Sequence, residues 1–210
     1  MTKIKAILFD MDGVLIDAKE WHYEALNEAL ELFGYKIQRD DHLSTYDGLP
    51  TRDKLKLLGK IKGLPSELHE TINSLKQRYT QKRIWNHCRA RFDHQIAMSK
   101  LKSNGYKIAV CSNSIAESIG LMMKLSELDQ YLDVSLSNED VSSGKPDPEI
   151  YVKAMNLLGV LPHETLILED NDHGKAAARS SGGYLMEIGD VSDVTYNNIL
   201  DCISGIEGKR

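Results

Sequence analysis

Ile4-Lys5-Ala6-Ile7-Leu8-Phe9 leads directly into Asp10-Met11-Asp12-Gly13 near the start of this 210-residue chain. Five of the six residues from Ile4 to Phe9 are apolar or aromatic, which is typical of a buried strand in a parallel sheet covered on both faces. Ligands of open parallel sheets bind beyond the carboxyl ends of the strands. Asp10 and Asp12 are therefore predicted to lie at the mouth of a site.

The composition, 41% apolar and 27% charged, is that of an ordinary soluble protein. A net charge of −5 without a basic tail argues against nucleic acid and anionic membranes as partners. No apolar run reaches membrane length, and the short N-terminal apolar stretch is no signal peptide. The cysteines Cys88, Cys111 and Cys202 have no metal or redox spacing. We expect a cytoplasmic protein, either a monomer or a small homo-oligomer.

Further apolar strands are predicted at Lys107–Cys111, near Val134–Leu136, at Thr165–Leu168 and at Tyr184–Ile188. Helical patterns alternate with these strands, which predicts an α/β fold with a parallel sheet. No strand pattern appears between Gly13 and Arg89, where helices are predicted at about 18–33, 50–58 and 65–85. A helical block thus interrupts the α/β domain.

Functional residue types follow the ends of successive strands. Because parallel strands share a direction, all these ends should meet at one side of the sheet. The residues concerned are Asp10, Asp12, Ser112, Lys145, Glu169 and Asp170. Taken singly, each has a plainer reading: aspartates form turns, lysines lie on surfaces, and Ser112-Asn113 could cap a helix.

Together, these residues indicate phosphate chemistry with a hard divalent cation. Mg²⁺ prefers oxygen ligands, which Asp10 and Asp170 supply with help from Glu169. Without cations, the Asp10 carboxylate would have to attack a phosphate dianion, and one like-charge contact at roughly 4 Å costs about 4 kcal/mol at a dielectric of about 20. Mg²⁺ and Lys145 are expected to offset that repulsion, while Ser112 hydrogen-bonds a phosphate oxygen.

The positions of Asp10 and Asp12 suggest a different catalytic role for each. Asp10, at the strand tip, is placed to attack phosphorus and form an aspartyl-phosphate. Asp12 is then the natural general acid and base, which protonates the leaving oxygen and later deprotonates the hydrolytic water.

Four stretches carry a family resemblance, in order and spacing along nearly the whole chain. The chain resembles the haloacid dehalogenase superfamily, in the subgroup with a helical cap after the first strand. The stretches are Phe9-Asp10-Met11-Asp12-Gly13-Val14-Leu15-Ile16-Asp17, Cys111-Ser112-Asn113-Ser114, Gly144-Lys145-Pro146-Asp147-Pro148-Glu149-Ile150-Tyr151 and Leu168-Glu169-Asp170-Asn171-Asp172-His173-Gly174. Relatives often carry Ser or Thr at the position of Asn171. The asparagine side chain can still form hydrogen bonds there.

The resemblance implies a role for each matching position. Asp10 would be the nucleophile and Asp12 the acid/base, and the phosphate would be bound by Ser112, Asn113 and Lys145. Mg²⁺ would be held by Asp10, the Asp12 backbone carbonyl and Asp170, with Glu169 close by. The fold would be a Rossmann-like core, residues 1–16 and 88–210, with a mobile helical cap at 17–87.

Substrate choice is expected to lie in the cap. The loop Tyr46–Arg52 falls where capped relatives place their specificity loop. A second anionic group of the substrate could be held by Arg52, Lys76 or Arg78, although residues of this kind are more often solvent-facing cations. His22 would lie near the site in relatives with this cap, and a solvated helix histidine is the alternative.

Three functions fit these residues. The first is a Mg²⁺-dependent phosphatase of a small phosphorylated metabolite, such as a sugar or polyol phosphate. The second is a sugar phosphomutase of the β-phosphoglucomutase type, which needs a distal phosphate site in the cap. The resemblance to β-phosphoglucomutase implies a Gly-x-x-Arg loop in this part of the cap. In Gly48-Leu49-Pro50-Thr51-Arg52 the arginine comes one residue later than in that pattern. The third is a catalytically silent phosphate-binding or phosphorylatable module, against which the intact catalytic positions argue.

Overall fold

A computed structural model of the chain describes residues 3–208. The strands are β1 (Ala6–Phe9), β2 (Lys107–Cys111), β3 (Val134–Leu136), β4 (Thr165–Glu169) and β5 (Tyr184–Glu187). The helices are α1 (Lys19–Glu31), α2 (Arg39–Asp41), α3 (Thr51–Lys62), α4 (His69–His87), α5 (Phe92–Ser103), α6 (Ala116–Leu125), α7 (Glu149–Leu158), α8 (Asp172–Ser180) and α9 (Tyr196–Gly208).

The chain divides into two compact units. We call the residues up to Asp17 and from Arg89 onward the sheet unit, and the segment Ala18–Cys88 the helical unit. The helical unit is thus inserted into the sheet unit directly after the first strand and its following turn.

The sheet unit contains one five-stranded parallel sheet in the order β3-β2-β1-β4-β5. β1 is central, and its last residue, Phe9, pairs with Val110 on one side and Leu168 on the other. The polar residues after these strands consequently lie at one edge of the sheet. The predicted α/β class with a parallel sheet is confirmed.

The core of the sheet unit forms because the central strands consist mostly of apolar residues. Every residue of β1 and of β4 is buried. Helix α7 packs on the sheet through Ile150, Tyr151 and Ala154, which recur at helical spacing on one face.

The helical unit has a separate core. Helices α1 and α4 pack against each other, and α3 adds Leu55 and Leu58 to the same cluster. A buried asparagine closes the loop after α1: the Asn27 side chain accepts a hydrogen bond from the Ile37 N–H at 2.9 Å and donates to the Ile37 carbonyl at 3.0 Å. Both polar groups of the Ile37 backbone are therefore satisfied inside the unit.

Several predicted boundaries were wrong. Helix α3 continues to Lys62 instead of ending at Leu58, because Gly63, in the left-handed conformation, is the residue that stops it. Helix α8 begins at Asp172, two residues before the predicted start, because Asn171 caps it. Helix α9 and the single turn of π-helix at His42–Tyr46 were not predicted. Within residues 3–208, none of the helices combines the length and apolar character that crossing a bilayer requires.

Candidate active site

A tight turn after β1 sets the positions of the two predicted catalytic aspartates. Asp10 continues the strand pairing, because its N–H donates to the Leu168 carbonyl at 3.0 Å, and its side chain is almost fully buried. Gly13 then adopts a φ of 94°, a conformation that glycine enters without steric cost. Its N–H donates to the Ile16 carbonyl at 2.7 Å, which folds the chain back immediately after Asp12.

Asp12 is held by the loop after β2. The Ser114 hydroxyl donates to Asp12 Oδ2 at 2.9 Å, and the Ser112 hydroxyl lies 3.4 Å from the same oxygen. Ser112 Oγ in turn accepts a hydrogen bond from the Ser114 N–H at 3.0 Å. The structure thus brings the predicted acid/base next to the predicted phosphate contact. It adds Ser114, which lies in the quoted second stretch but was given no role.

Lys145 lies at the centre of the site. Its ammonium nitrogen is 2.6 Å from Asp10 Oδ1, 2.6 Å from Glu169 Oε1 and 2.9 Å from the Cys111 carbonyl oxygen. An ammonium has three N–H donors, so each can serve one of these acceptors. Lys145 is only 3% exposed, which excludes the reading of an ordinary surface lysine.

The Asn113 side chain hydrogen-bonds the backbone of the loop that contains Lys145. The Lys145 N–H donates to Asn113 Oδ1 at 3.0 Å, and Asn113 Nδ2 donates to the Lys145 carbonyl at 3.3 Å. The next peptide bond, Lys145–Pro146, is cis. The amide of Asn113 thus contacts backbone, and its predicted phosphate contact stays a prediction.

Glu169 and Asp170 follow β4, where a glycine makes room for the buried glutamate. A Cβ on Gly174 would lie 1.8 Å from Glu169 Oε1, so no other residue fits there without moving that carboxylate. Asn171 Oδ1 accepts from the Gly174 N–H at 2.9 Å and caps α8. The same Asn171 amide donates to Glu169 Oε2 at 3.3 Å.

The crowding of carboxylates alters the acidity of the site. Burial, followed by the negative charges of Glu169, Asp170 and Asp12, raises the pKa of Asp10 well above its ordinary value, and Lys145 opposes that rise. Burial works against the charged form of Lys145, but Asp10 and Glu169 outweigh it and raise the pKa of that ammonium. Lys145 therefore stays a cation at neutral pH, which its predicted phosphate contact requires.

The three carboxylates form a set that fits a hard divalent cation. One oxygen each from Asp10, Glu169 and Asp170 lies within 4.8 Å of the others. All three groups are carboxylates, whose charge and oxygens suit Mg²⁺, and a bound dication would offset the repulsion that, together with burial, raises the pKa of Asp10. The three carboxylates predicted to lie at the metal therefore lie together in the sheet unit, and their binding of a metal stays a prediction.

The structure places the four predicted specificity residues differently within the helical unit. His22 on α1 and Lys76 on α4 meet, with Nδ1 and Nζ 3.1 Å apart, and Lys76 is largely buried. Arg52 on α3 and Arg78 on α4 are exposed. The reading of a solvent-facing cation thus fits both arginines and does not fit Lys76.

Comparison with known proteins gives consistent matches over most of the chain. A phosphorylated carbohydrates phosphatase from Thermotoga maritima is 30% identical over 182 residues, which are 85% of this chain and 82% of that protein. The pyrophosphatase PpaX from Bacillus cereus is 28% identical over 191 residues, 86% of this chain and 81% of that protein.

A crystal structure of β-phosphoglucomutase from Clostridium difficile superposes with a TM-score of 0.85 at 19% identity, covering 98% of this chain and 100% of that one. At that identity the likeness concerns the fold alone. Residues 7–186 match the family of haloacid dehalogenase-like hydrolases, a span that contains all four motif stretches. The chain belongs to the haloacid dehalogenase-like hydrolase family.

Proposed function

We propose that this protein is a Mg²⁺-dependent phosphatase that hydrolyses the phosphate monoester of a small metabolite, such as a sugar or polyol phosphate, through an aspartyl-phosphate. The observation that carries the proposal is the buried contact of Asp10 with Lys145, beside an Asp12 held by Ser114. This arrangement supplies a nucleophile, a fixed cation and a separate acid/base within one site.

In the first half-reaction, a carboxylate oxygen of Asp10 attacks phosphorus and the bond to the ester oxygen breaks. Asp12 gives its proton to that leaving oxygen, so the alcohol departs neutral. Lys145 fixes the Asp10 carboxylate in one orientation, because its ammonium is hydrogen-bonded to Oδ1. Its positive charge also stabilises the negative charge on the transferring phosphoryl group.

In the second half-reaction, Asp12 takes a proton from water, the water oxygen bonds to phosphorus, and the bond to Asp10 breaks. Phosphate leaves and both aspartates return to their starting states. The Ser114 hydroxyl keeps Asp12 in place through both halves, since it donates to Oδ2 at 2.9 Å. Ser112, whose hydroxyl lies nearby, is proposed to contact a phosphate oxygen.

Mg²⁺ would be held by Asp10 and Asp170, with Glu169 beside them and the Asp12 backbone carbonyl as a further ligand. When bound, the metal supplies positive charge that offsets the repulsion between the carboxylates and a phosphate dianion. Burial and the neighbouring carboxylates both raise the pKa of Asp10, and the charge of those carboxylates favours the binding of a cation on electrostatic grounds.

A phosphorylated carbohydrate is supported as the substrate class by the 30% identical Thermotoga relative. The helical unit is proposed to select the substrate through Arg52, Arg78 and the paired His22 and Lys76. We propose a cytoplasmic location, because the described cysteines are free thiols without metal or redox spacing. A monomer or a small homo-oligomer is proposed as its state of assembly.

A sugar phosphomutase of the β-phosphoglucomutase type is the second candidate. A mutase must hold a second phosphate, and the largely buried Lys76 beside His22 is a cationic group that could bind one. The exposed Arg52, the second residue of α3, is displaced by one residue from the Gly-x-x-Arg pattern, which favours the phosphatase.

The deciding experiment measures phosphate release from a panel of small phosphate esters and pyrophosphate, with Mg²⁺ and with EDTA. The panel includes β-glucose 1-phosphate with a bisphosphate primer, assayed for isomerisation. Metal-dependent release from sugar phosphates supports the proposal, whereas preference for pyrophosphate contradicts the substrate class. Isomerisation without net release establishes the mutase. If both assays are silent and beryllofluoride does not bind Asp10, the protein is a non-catalytic module.

A further inference from the structure

Tyr151, on the inner face of α7, contacts the site at two points. It is fully buried, and its hydroxyl donates to Glu169 Oε1 at 2.6 Å. The Lys145 ammonium lies over its ring, 4.8 Å from the ring centroid, within the range of a cation–π contact. The function proposed above uses neither contact.

Glu169 is saturated with protein donors. Its Oε1 accepts from Lys145 and Tyr151, both at 2.6 Å, and its Oε2 accepts from the Asp170 N–H at 3.1 Å and from the Asn171 amide at 3.3 Å. A carboxylate offers about four acceptor positions. Glu169 therefore contributes its charge to the metal site while its lone pairs hold other residues in place.

We propose that Tyr151 is a positioning residue for Lys145, acting through Glu169. The hydroxyl fixes Glu169 Oε1, and Oε1 then fixes one of the three N–H donors of Lys145. The ring closes off one side of the ammonium. This inference rests on the proposed function, because it assumes that Lys145 acts on the nucleophile and the phosphate.

Lysine needs such support more than a rigid side chain would. Its ammonium ends a flexible four-carbon stem, so the fixed direction must come from its partners. Displacing a catalytic group by about 1 Å can lower the rate about a hundredfold. A hydroxyl that fixes the partner of Lys145 thus affects turnover without touching the substrate.

The kinetic test is Tyr151→Phe, which keeps the ring and removes only the hydroxyl. We expect kcat to fall about tenfold and KM to change less than about twofold, because the hydroxyl orders a group that stabilises the transition state. Tyr184→Phe, the same change on the half-buried strand β5, is the matched control and should leave both constants unchanged. An unchanged kcat in Tyr151→Phe overturns the inference.

A double-mutant cycle tests whether Tyr151 acts through Glu169. In a Glu169→Gln background, Tyr151→Phe should lower kcat by less than about twofold, since the route through the carboxylate is already altered. If the tenfold loss persists in that background, Tyr151 does not act through Glu169.

A readout without turnover keeps this inference separate from the proposed function. The ¹H–¹⁵N signal of the Lys145 ammonium, assigned by its loss in Lys145→Arg, should shift or broaden in Tyr151→Phe and stay unchanged in Tyr184→Phe. If the Lys145 signal is the same in wild type and Tyr151→Phe, the inference is overturned. If wild type hydrolyses no phosphate ester while the signal responds, the proposed function fails and the Tyr151–Glu169–Lys145 connection stands.

Discussion

The Lys145 ammonium lies 2.6 Å from Asp10 Oδ1, although the two residues are 135 positions apart in the chain. Both side chains are nearly inaccessible to solvent. Asp10 is brought there by the central strand and Lys145 by the loop before α7, so the contact exists only when the sheet has formed. It orients the proposed nucleophile and partly offsets the charge of three neighbouring carboxylates.

Replacing Lys145 should destabilise the sheet unit as well as abolish activity. Lys145→Met leaves Asp10 and Glu169 buried without their cation, and breaking a buried pair in this way costs about 3–5 kcal/mol. Urea unfolding at neutral pH measures the loss. Lys175→Met, which removes one of the two cationic partners of the exposed Glu187, 3.2 Å away, is the control and should cost much less. Equal losses in the two variants would contradict this account.

Gly174→Ala should disrupt the site by displacing the Glu169 carboxylate. The new methyl group would meet Glu169 Oε1 at 1.8 Å, so the carboxylate must move and release Lys145. We expect turnover to fall about a hundredfold or more, as for other displaced catalytic groups. Gly120→Ala in α6 is the matched control, because its Cβ meets nothing within 4 Å. That control should be as active as wild type and about 0.5–1 kcal/mol more stable. Comparable activity of the two variants would show that Glu169 tolerates displacement.

Asp10→Asn should abolish turnover while the protein stays folded. The amide is a poor nucleophile, but it keeps the shape of the side chain and removes a charge that burial and Glu169 both disfavour. Phosphate release and thermal unfolding, measured on the same preparation, test both halves of the prediction. Asp129→Asn, an exposed change in the same unit, should leave both measurements unchanged. Turnover near the wild-type rate would exclude Asp10 as the nucleophile.

His42 should make the helical unit sensitive to acid. Burial, followed by the nearby charge of Lys54, lowers the pKa of His42 to about 4. In the unfolded chain this pKa is about 6.5, so between these values the unfolded state binds more protons. The stabilising effect of neutral His42 is present above pH about 6.5 and is lost as the pH falls towards 4.

The measurement is the unfolding midpoint of the whole protein across that pH range. His42→Gln should flatten the decline, whereas His163→Gln, at an exposed position of the sheet unit, should not. An identical pH dependence in His42→Gln and wild type would show that another group titrates.

Arg52→Ala should raise KM selectively for substrates that carry a second anionic group. The side chain is exposed near the start of α3, where its charge is available to a ligand. Lys60→Ala, which removes an exposed cation near the other end of the same helix, is the control. The comparison uses mono- and bisphosphorylated sugars under identical conditions. A uniform change in KM across all substrates would count against a specificity role.

The motif residues were predictable because their chemistry depends on local order along the chain. Asp10, Ser112, Lys145 and Asp170 each follow an apolar strand or lie in the next loop, and parallel strands bring such positions to one edge. Tyr151 was not assigned a role, because an apolar helical spacing predicts only that it is buried. Its hydroxyl partner, Glu169, lies on another element.

The sequence by itself determined the α/β class and the identity of the residues at the strand ends, since periodicity and strand order are local properties. It also predicted a helical insertion after the first strand. The tertiary structure decided which of those residues touch. In the folded protein the Asn113 side chain hydrogen-bonds the Lys145 backbone, and the Ser114 hydroxyl hydrogen-bonds Asp12. Lys76 contacts His22. These contacts depend on distances between segments far apart in the chain, which packing alone sets.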